Sequence, residues 1–326
     1  MFERKPIYPM EAKLEAELPA GPGWLYEPKW DGFRCLAFKD GTSVDLQGKS
    51  GKFLTVYFPE VARAVARIKR KQVALDGELR IAIGGKPAFE ALQMRLHPAE
   101  SRIKRLSEET PASLVIFDTL LDATGAPVHQ RPLVERRRVL KKLAVGLPEV
   151  LSVGKATEDL QLATKWLRSG YDGTDGVIAK RLDMPYRFGE RAMIKVKRIR
   201  TADCVVGGFR YGRRSKLVGS LLLGLYDEHG LLHHVGFTSA LGGADKPALT
   251  AKLEKLAGAP GFTGKAPGGP SRWATERSAE WCPLKPKLVV EVSYDHVTGG
   301  RFRHGTRLLR WRPDKAPKQC TFDQII

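Results

Sequence analysis

Lys197-Arg-Ile-Arg-Thr-Ala-Asp-Cys-Val-Val-Gly-Gly-Phe209 is the stretch on which the fold turns. Its basic first part, Lys197-Arg-Ile-Arg200, closes one texture of sequence, and its apolar second part, Cys204-Val-Val-Gly-Gly-Phe209, opens another. Downstream, Ser220-Leu-Leu-Leu-Gly-Leu-Tyr226 and Leu231-Leu-His-His-Val-Gly-Phe237 are short apolar runs parted by turn residues. A helical pattern over 246–256 follows, and then Leu288-Val-Val-Glu-Val-Ser-Tyr294 and Thr306-Arg-Leu-Leu-Arg-Trp311. That makes about five strands around one helix, the count of a small Greek-key barrel of the OB type. Residues 258–286, rich in Gly and Pro and carrying Arg272, Trp273 and Arg277, read as a functional or mobile loop.

Upstream of the junction, Trp24-Leu-Tyr-Glu27, Val73-Ala-Leu-Asp76, Leu114-Val-Ile-Phe117 and Gly176-Val-Ile-Ala179 alternate with longer basic helical stretches, which is the pattern of a mixed α+β domain. Over 59–71 the spacing predicts a helix with Val61, Val65 and Ile68 on one face and Arg63, Arg67, Lys69 and Arg70 pointing elsewhere. The expected division is 1–199 and 200–326, with 198–203 as the hinge.

Composition agrees with two packed domains. The 326 residues are 42% apolar and 28% charged, which excludes disorder as the main state. With 55 Lys+Arg against 36 Asp+Glu the net charge is +19, a field that draws in phosphate-rich polymers. A membrane is the weaker candidate partner: the N-terminus lacks a secretory apolar core and the longest apolar stretch, 217–226, is about half a spanning helix. A soluble, cytoplasmic chain is expected. Cys35, Cys204, Cys282 and Cys320 are far apart, with no C-x-x-C pair, which fits a reducing compartment and not structural zinc.

The chemistry begins at Glu27-Pro-Lys29-Trp-Asp31-Gly32-Phe-Arg34. The four fixed letters of Lys29-x-Asp31-Gly32-x-Arg34 would arise by accident in about one chain of this length in 500, and an Asp-Gly hairpin is the plain alternative. Further clusters follow in order: Leu75-Asp-Gly77-Glu78, Phe117-Asp118, Asp175-Gly176-Val-Ile-Ala-Lys180, Lys195-Val-Lys197 and Arg310-Trp-Arg312-Pro-Asp314-Lys315. Each lies at the edge of an apolar run, where a strand delivers polar ends to one cleft. Lys195 and Lys197 share a strand face by the two-residue period and repel unless an anion lies between them.

This series resembles the nucleotidyltransferase motifs of ATP-dependent DNA ligases over nearly the whole chain, and is most similar to the compact bacterial ligase C and the ligase module of ligase D. Phe89-Glu-Ala-Leu-Gln93-Met-Arg95, Pro132-Leu-Val-Glu-Arg-Arg137, Gly189-Glu-Arg191 and the tail from Phe302 to Gln324 support it. The resemblance implies an adenylation domain with mixed and antiparallel sheets followed by the OB-fold barrel. It makes Lys29 the nucleophile that takes AMP from ATP. A free ammonium of pKa ~10.4 is neutral in about one molecule in 2,500 at pH 7, a cost of roughly 4.6 kcal/mol that nearby cations or a metal would reduce. The candidate neighbours are Arg34, Lys195 and Lys197, with Asp31 acting the other way.

The remaining roles come over by position. The resemblance places Glu27 beside the adenine, Arg34 and Glu78 near the ribose, and Phe117 against the base. Lys195 and Lys197 would hold the phosphates. Glu78 and Asp175 are the metal candidates for magnesium, with manganese as the alternative. Asp175 stands where ligases usually carry glutamate, one methylene shorter. Lys49, in Leu46-Gln-Gly48-Lys49, stands where arginine is usual, which loses the planar fork. Arg310, Arg312, Asp314 and Lys315 match the motif that orients the departing pyrophosphate.

The implied reaction is enzyme adenylation, transfer of AMP to a 5′-phosphate, and attack of the adjacent 3′-hydroxyl, on nicks or ends of duplex DNA. A monomer near the bacterial nucleoid, recruited by a Ku-like end-binding protein or a repair polymerase, is the implied setting. Lys29 lies so near the start that no helical DNA-binding domain is expected before it. Three alternatives remain at this stage: an mRNA-capping guanylyltransferase, separated by GTP use; an RNA ligase, separated by RNA nicks; and a catalytically idle OB-type DNA-binding module, which forms no covalent adduct.

Overall fold

The computed structural model of the chain describes residues 6–241, 243–268 and 280–325. It falls into two compact units, Met1–Arg198 and Ile199–Ile326.

Unit 1 carries strands β1 (Ala12–Leu14), β2 (Trp24–Pro28), β3 (Phe33–Asp40), β4 (Ser43–Gly48), β5 (Gln72–Arg80), β6 (Ala82–Ile83), β7 (Lys86–Pro87), β8 (Ser113–Thr119), β9 (Leu151–Val153), β10 (Gly176–Arg181) and β11 (Met193–Lys197). Its helices are α1 (Pro59–Ala66), α2 (Phe89–Arg95), α3 (Glu100–Glu109), α4 (Leu133–Ala144) and α5 (Leu160–Ser169). Two sheets result, a four-stranded one in the order β1-β11-β10-β2 and a five-stranded one in the order β4-β3-β5-β8-β9. Behind the second sheet, Val61, Ala64 and Val65 of α1 pack with Leu75 and Leu114 in one apolar cluster. Asp159 caps α5 through the Gln161 N–H, and Gly170, in the left-handed region, ends it.

β2 pairs with β10 in one sheet, while β3 pairs with β4 and β5 in the other. The segment Lys29-Trp-Asp-Gly32 therefore passes between sheets, and the hairpin alternative is excluded. Gly32 makes the passage close: a Cβ there would stand 2.0 Å from the Leu79 carbonyl oxygen. The helix expected over 59–71 ends at Ala66. Its last carbonyls are taken from outside, because the Lys39 ammonium donates to Ala66 O at 2.7 Å and Ile68 O at 2.5 Å.

Unit 2 contains β12 (Arg200–Tyr211), β13 (Val218–Tyr226), β14 (Leu232–Ala240), α6 (Lys246–Glu254), β15 (Cys282–Pro283), β16 (Val289–Tyr294), β17 (Val297–Thr298), β18 (Arg301–Phe302) and β19 (Thr306–Trp311). The order β13-β14-β19-β16-β12 closes on itself through the β12–β13 pairing, with β14 parallel to β19. This is a five-stranded OB barrel with α6 between its third and fourth long strands. Closure depends on β12 serving two neighbours: Arg200 to Val205 pair with β16, and Val205 to Tyr211 with β13. Register shifts fall at Val206/Gly208 and Arg210/Tyr211, and at Gly207 a Cβ would meet the Phe262 ring at 2.7 Å.

The structure bears on two expectations. Residues 200–203 lie in the β12 ladder, so of the six hinge candidates only Arg198 and Ile199 are outside strands. The 258–286 segment is docked at both described ends: Phe262 is buried, the Gly258 N–H donates to Pro283 O at 2.9 Å, and β15 pairs with β12. Arg272, Trp273 and Arg277 lie outside the described residues. Among the described residues no helix is long and apolar enough to cross a membrane.

Candidate active site

Lys29 leaves β2 by extending the β2–β10 pairing one step: its N–H donates to Gly176 O at 2.9 Å, and its carbonyl accepts the Asp175 N–H at 3.2 Å. Only glycine fits opposite, since a Cβ on Gly176 would lie 2.2 Å from Val196 O. The backbone contact sets the side chains face to face. The Lys29 ammonium donates to both Asp175 oxygens, at 2.8 and 2.9 Å, with its side chain 20% exposed. It opens on a cavity of about 240 Å³ built from unit 1 alone.

Strand edges bring the walls together. Glu27 of β2, Phe117 of β8, Arg34 of β3, Glu78 of β5, Lys180 of β10 and Lys195 of β11 all line the cavity. Glu27 is 4% exposed. Its Oε2 takes the Lys180 ammonium at 2.7 Å, while Oε1, 3.5 Å from Arg137 Nη1, receives no hydrogen bond from the described residues. The site thus holds a buried carboxylate with one acceptor oxygen unused. Beside it the Phe117 ring carries two cations, Arg34 Cζ at 4.6 Å and Lys180 Nζ at 4.5 Å from its centroid.

Arg34 is fixed from behind. Its Nε and Nη2 each donate to Asp76 at 2.6 Å, and Nη2 also reaches Met10 O at 3.1 Å. Asp76, wholly buried, takes the Tyr186 hydroxyl at 2.6 Å, and that hydroxyl accepts the Met10 N–H at 3.1 Å. Burial alone would weaken the guanidinium's hold on its proton, but Asp76 overrides this and raises its pKa.

Glu78 occupies a different field. Burial pushes its pKa up to about 7, against the pull of Arg34 and Lys29 and with reinforcement from Asp31 and Asp76. The Lys195 ammonium is lowered by burial first, then by Lys29, Lys197, Lys49 and Arg191. A crowd of cations around one amine is the arrangement an anion would relieve.

Two of the expected residues of unit 1 do not line this cavity. Lys197 pairs with Gly176 at the end of β11 and does not line the cavity, and Asp175 sits behind Lys29 rather than in the wall. Lys49 reaches the rim, 60% exposed, and is paired with Glu11 at 2.9 Å. Arg310, Arg312 and Asp314 belong to unit 2, in an ionic cluster of their own. Arg310 Nε lies 2.6 Å from Glu291, and Arg312 bonds both Asp203 and Asp314. The hydrogen bond from Arg312 holds Asp314 down to about 2.

The sequence reading assigned no role to Asp76, Lys180, Tyr186 or Arg137. The signal for two of them was present: Asp76 shares a face of β5 with Glu78, and Lys180 shares a face of β10 with Ile178, by the two-residue period. Tyr186 and Arg137 reach the site only through tertiary packing.

Residues 10–197 match the model of the ATP dependent DNA ligase domain, and 214–315 match that of the ATP dependent DNA ligase C terminal region. The chain belongs to the ATP-dependent DNA ligases. DNA ligase C1 of Mycolicibacterium smegmatis is 44% identical over 332 residues, covering 98% of this chain and 94% of that protein. DNA ligase C of Mycobacterium tuberculosis is 40% identical over 343 residues with the same coverage. The crystal structure of the ligase domain of M. tuberculosis LigD superposes with a TM-score of 0.54 at 29% identity, over 98% of this ligase and 99% of that domain. The compact bacterial type of ligase accounts for the whole chain.

Proposed function

We propose that this ATP-dependent DNA ligase seals 5′-phosphate/3′-hydroxyl breaks in duplex DNA through an adenylate carried on Lys29 Nζ. The observation that carries the assignment is the placement of that nitrogen at the mouth of a cavity whose walls bring Glu27, Arg34, Glu78, Phe117 and Lys195 together from five strands. In the first step Nζ, having shed a proton, attacks the α-phosphorus of ATP. A P–N bond forms and the bond to pyrophosphate breaks. Asp175, on the same nitrogen, orients it. Lys195, in the cavity lining, stabilises the charge that moves onto the leaving group, and Lys197, two residues along the same face of β11, adds its charge from beyond the lining.

The unused Oε1 of Glu27 can accept a hydrogen bond from the exocyclic amine of adenine; the choice of ATP over GTP rests on the family. Phe117 offers the base a ring, and Arg34, pre-set by Asp76, faces the sugar. Lys49 serves the outer rim.

Glu78 and Asp175 suit a divalent cation. Glu78 stands half-buried beside Asp31 and Asp76, carboxylates whose charge a cation would offset. Among the described residues no group of three or more His, Cys, Asp or Glu could hold a metal; magnesium needs none, taking one or two carboxylates with substrate phosphates and water. Held by Glu78 and Asp175, magnesium, or manganese in its place, would supply positive charge against the charge that develops in phosphoryl transfer.

In unit 2, Arg310, Arg312 and Asp314, with Lys315, act on the departing pyrophosphate. The +19 charge grips the DNA backbone without reading sequence, which suits break repair. A cytoplasmic monomer at the nucleoid, recruited by a Ku-like protein or a repair polymerase, completes the reading. The test is a nicked duplex with a labelled 5′-phosphate offered ATP, GTP or no nucleotide, beside an RNA nick. The expected result is sealing of the DNA nick with ATP; equal use of GTP, preference for the RNA nick, or binding without sealing would overturn it.

A further inference from the structure

The chain's final motif contains three cations, and the barrel meets them with two carboxylates, Glu291 and Asp203, beside the motif's own Asp314. Arg310 lies on Glu291, across the β16–β19 ladder. Arg312 spends Nε and Nη2 on Asp314, two residues along, and turns Nη1 to Asp203 at 2.9 and 3.1 Å. Lys315 Nζ lies 2.7 Å from Asp203 Oδ2. One carboxylate therefore holds both ends of the 312–315 turn.

The two partners of Arg312 differ in kind. The Asp314 side chain is 63% exposed, whereas that of Asp203 is 11% exposed. Asp203 also cannot drift. It sits in β12 in register with Glu291, and the Gln324 side-chain amide takes both of its backbone groups: Oε1 accepts the Asp203 N–H at 2.9 Å, and Nε2 donates to the Asp203 carbonyl at 3.1 Å. An exposed ion pair on a free loop would contribute little order. A buried carboxylate with a clamped backbone is a fixed point, and the Arg312 N–H, bonded to Val289 O at 2.9 Å, joins the turn to the same barrel.

We infer that Asp203 is a positioning residue for enzyme adenylation, setting the Arg312 guanidinium and the Lys315 ammonium in one geometry for the departing pyrophosphate. This rests on the reading that those two cations act on pyrophosphate. Long cationic side chains lose rotational freedom when they engage an anion, and a brace that removes the freedom beforehand leaves more of the interaction for the transition state. Two of the guanidinium nitrogens go to Asp314, on the exposed turn, which can yield to phosphate oxygens. Asp203 remains as the anchor.

The test compares full-length wild type with Asp203→Asn, Asp203→Glu, Arg312→Ala, Lys315→Ala, Arg312→Ala/Lys315→Ala and Asp203→Asn/Arg312→Ala/Lys315→Ala. Two rates are read, single-turnover adenylation with ATP and joining of a pre-adenylated nick, along with the thermal midpoint. Asparagine keeps the size and the Gln324 bonds but loses the charge. Asp203→Asn is expected to slow adenylation by about tenfold or more, to change joining of the pre-adenylated nick by less than about twofold, and to leave the midpoint in place. Asp203→Glu, which keeps the charge, should retain more adenylation than Asp203→Asn. In the triple variant the Asp203→Asn effect should vanish, because its targets are gone.

Adenylation at the wild-type rate or faster in Asp203→Asn would overturn the proposal, as would equal loss of both steps with a lowered midpoint, or an undiminished effect in the triple variant. If Arg312→Ala and Lys315→Ala both leave adenylation intact, the reading of the two cations fails first. If both slow it while Asp203→Asn does not, only the brace fails.

Discussion

Replacing Lys180 by Met removes the ammonium from the most enclosed charge pair of the cavity wall. Lys180 Nζ lies 2.7 Å from Glu27 Oε2, with the two side chains 3% and 5% exposed. The variant leaves Glu27 buried, with Arg137 Nη1 at 3.5 Å from its other oxygen. Stranding one member of a buried pair costs about 3–5 kcal/mol, and the remaining guanidinium places the expected loss near the lower end. For a unit of this size, about 3 kcal/mol lowers the thermal midpoint by roughly 6–12 °C. Hydrogen exchange in peptides covering β2 and β10, which the pair joins side by side, should rise more than exchange in the barrel strands. The matched Glu27→Gln/Lys180→Met chain carries no stranded charge and should recover more than about 1 kcal/mol of the loss. A single variant costing under about 1 kcal/mol, or a double variant no better than the single, would refute the reasoning.

Arg34→Lys keeps the charge but exchanges a fork for a point, losing one of the two bonds to the buried Asp76 and the bond to Met10 O. Unit 1 should lose about 2 kcal/mol in urea titration and bind ATP more weakly by calorimetry; wild-type behaviour in both would contradict this. In the barrel, burial first and then Arg301 and Arg210 hold His234 down to about 3, and its Nε2 has no hydrogen-bond partner among the described residues. Between its unfolded value near 6.5 and pH 3 the unfolded chain binds a proton that the folded chain refuses, so stability falls with falling pH by up to about 1.4 kcal/mol per unit. His234→Gln should flatten that slope in acid titrations followed by near-ultraviolet dichroism, and an unchanged slope would assign it to other groups.

The parts of the site that the sequence made legible are those a strand places by its own period. Glu78, Phe117 and Lys195 sit within strands in short motifs, so alternation decides which face each presents. Barrel topology was readable for the same reason, since turn residues separate its apolar runs. Partners supplied by distant chain were not readable. Tyr186 reaches Asp76 from 110 residues away, and no local pattern in either segment encodes the contact. The early end of α1 was hidden likewise, because the lysine that captures its carbonyls comes from β3. Lys197 shows the limit of periodicity: it shares a face with Lys195, yet the strand carries it past the cavity.

The chemistry turns on one atom, Lys29 Nζ. Purified protein incubated with ATP and magnesium, digested and mapped by mass spectrometry, should carry a single adenylyl group on the peptide containing Lys29, acid-labile as a phosphoramidate and discharged by nicked DNA. An unmodified Lys29 peptide in protein that seals nicks, or an adenylyl group on any other residue, would contradict it.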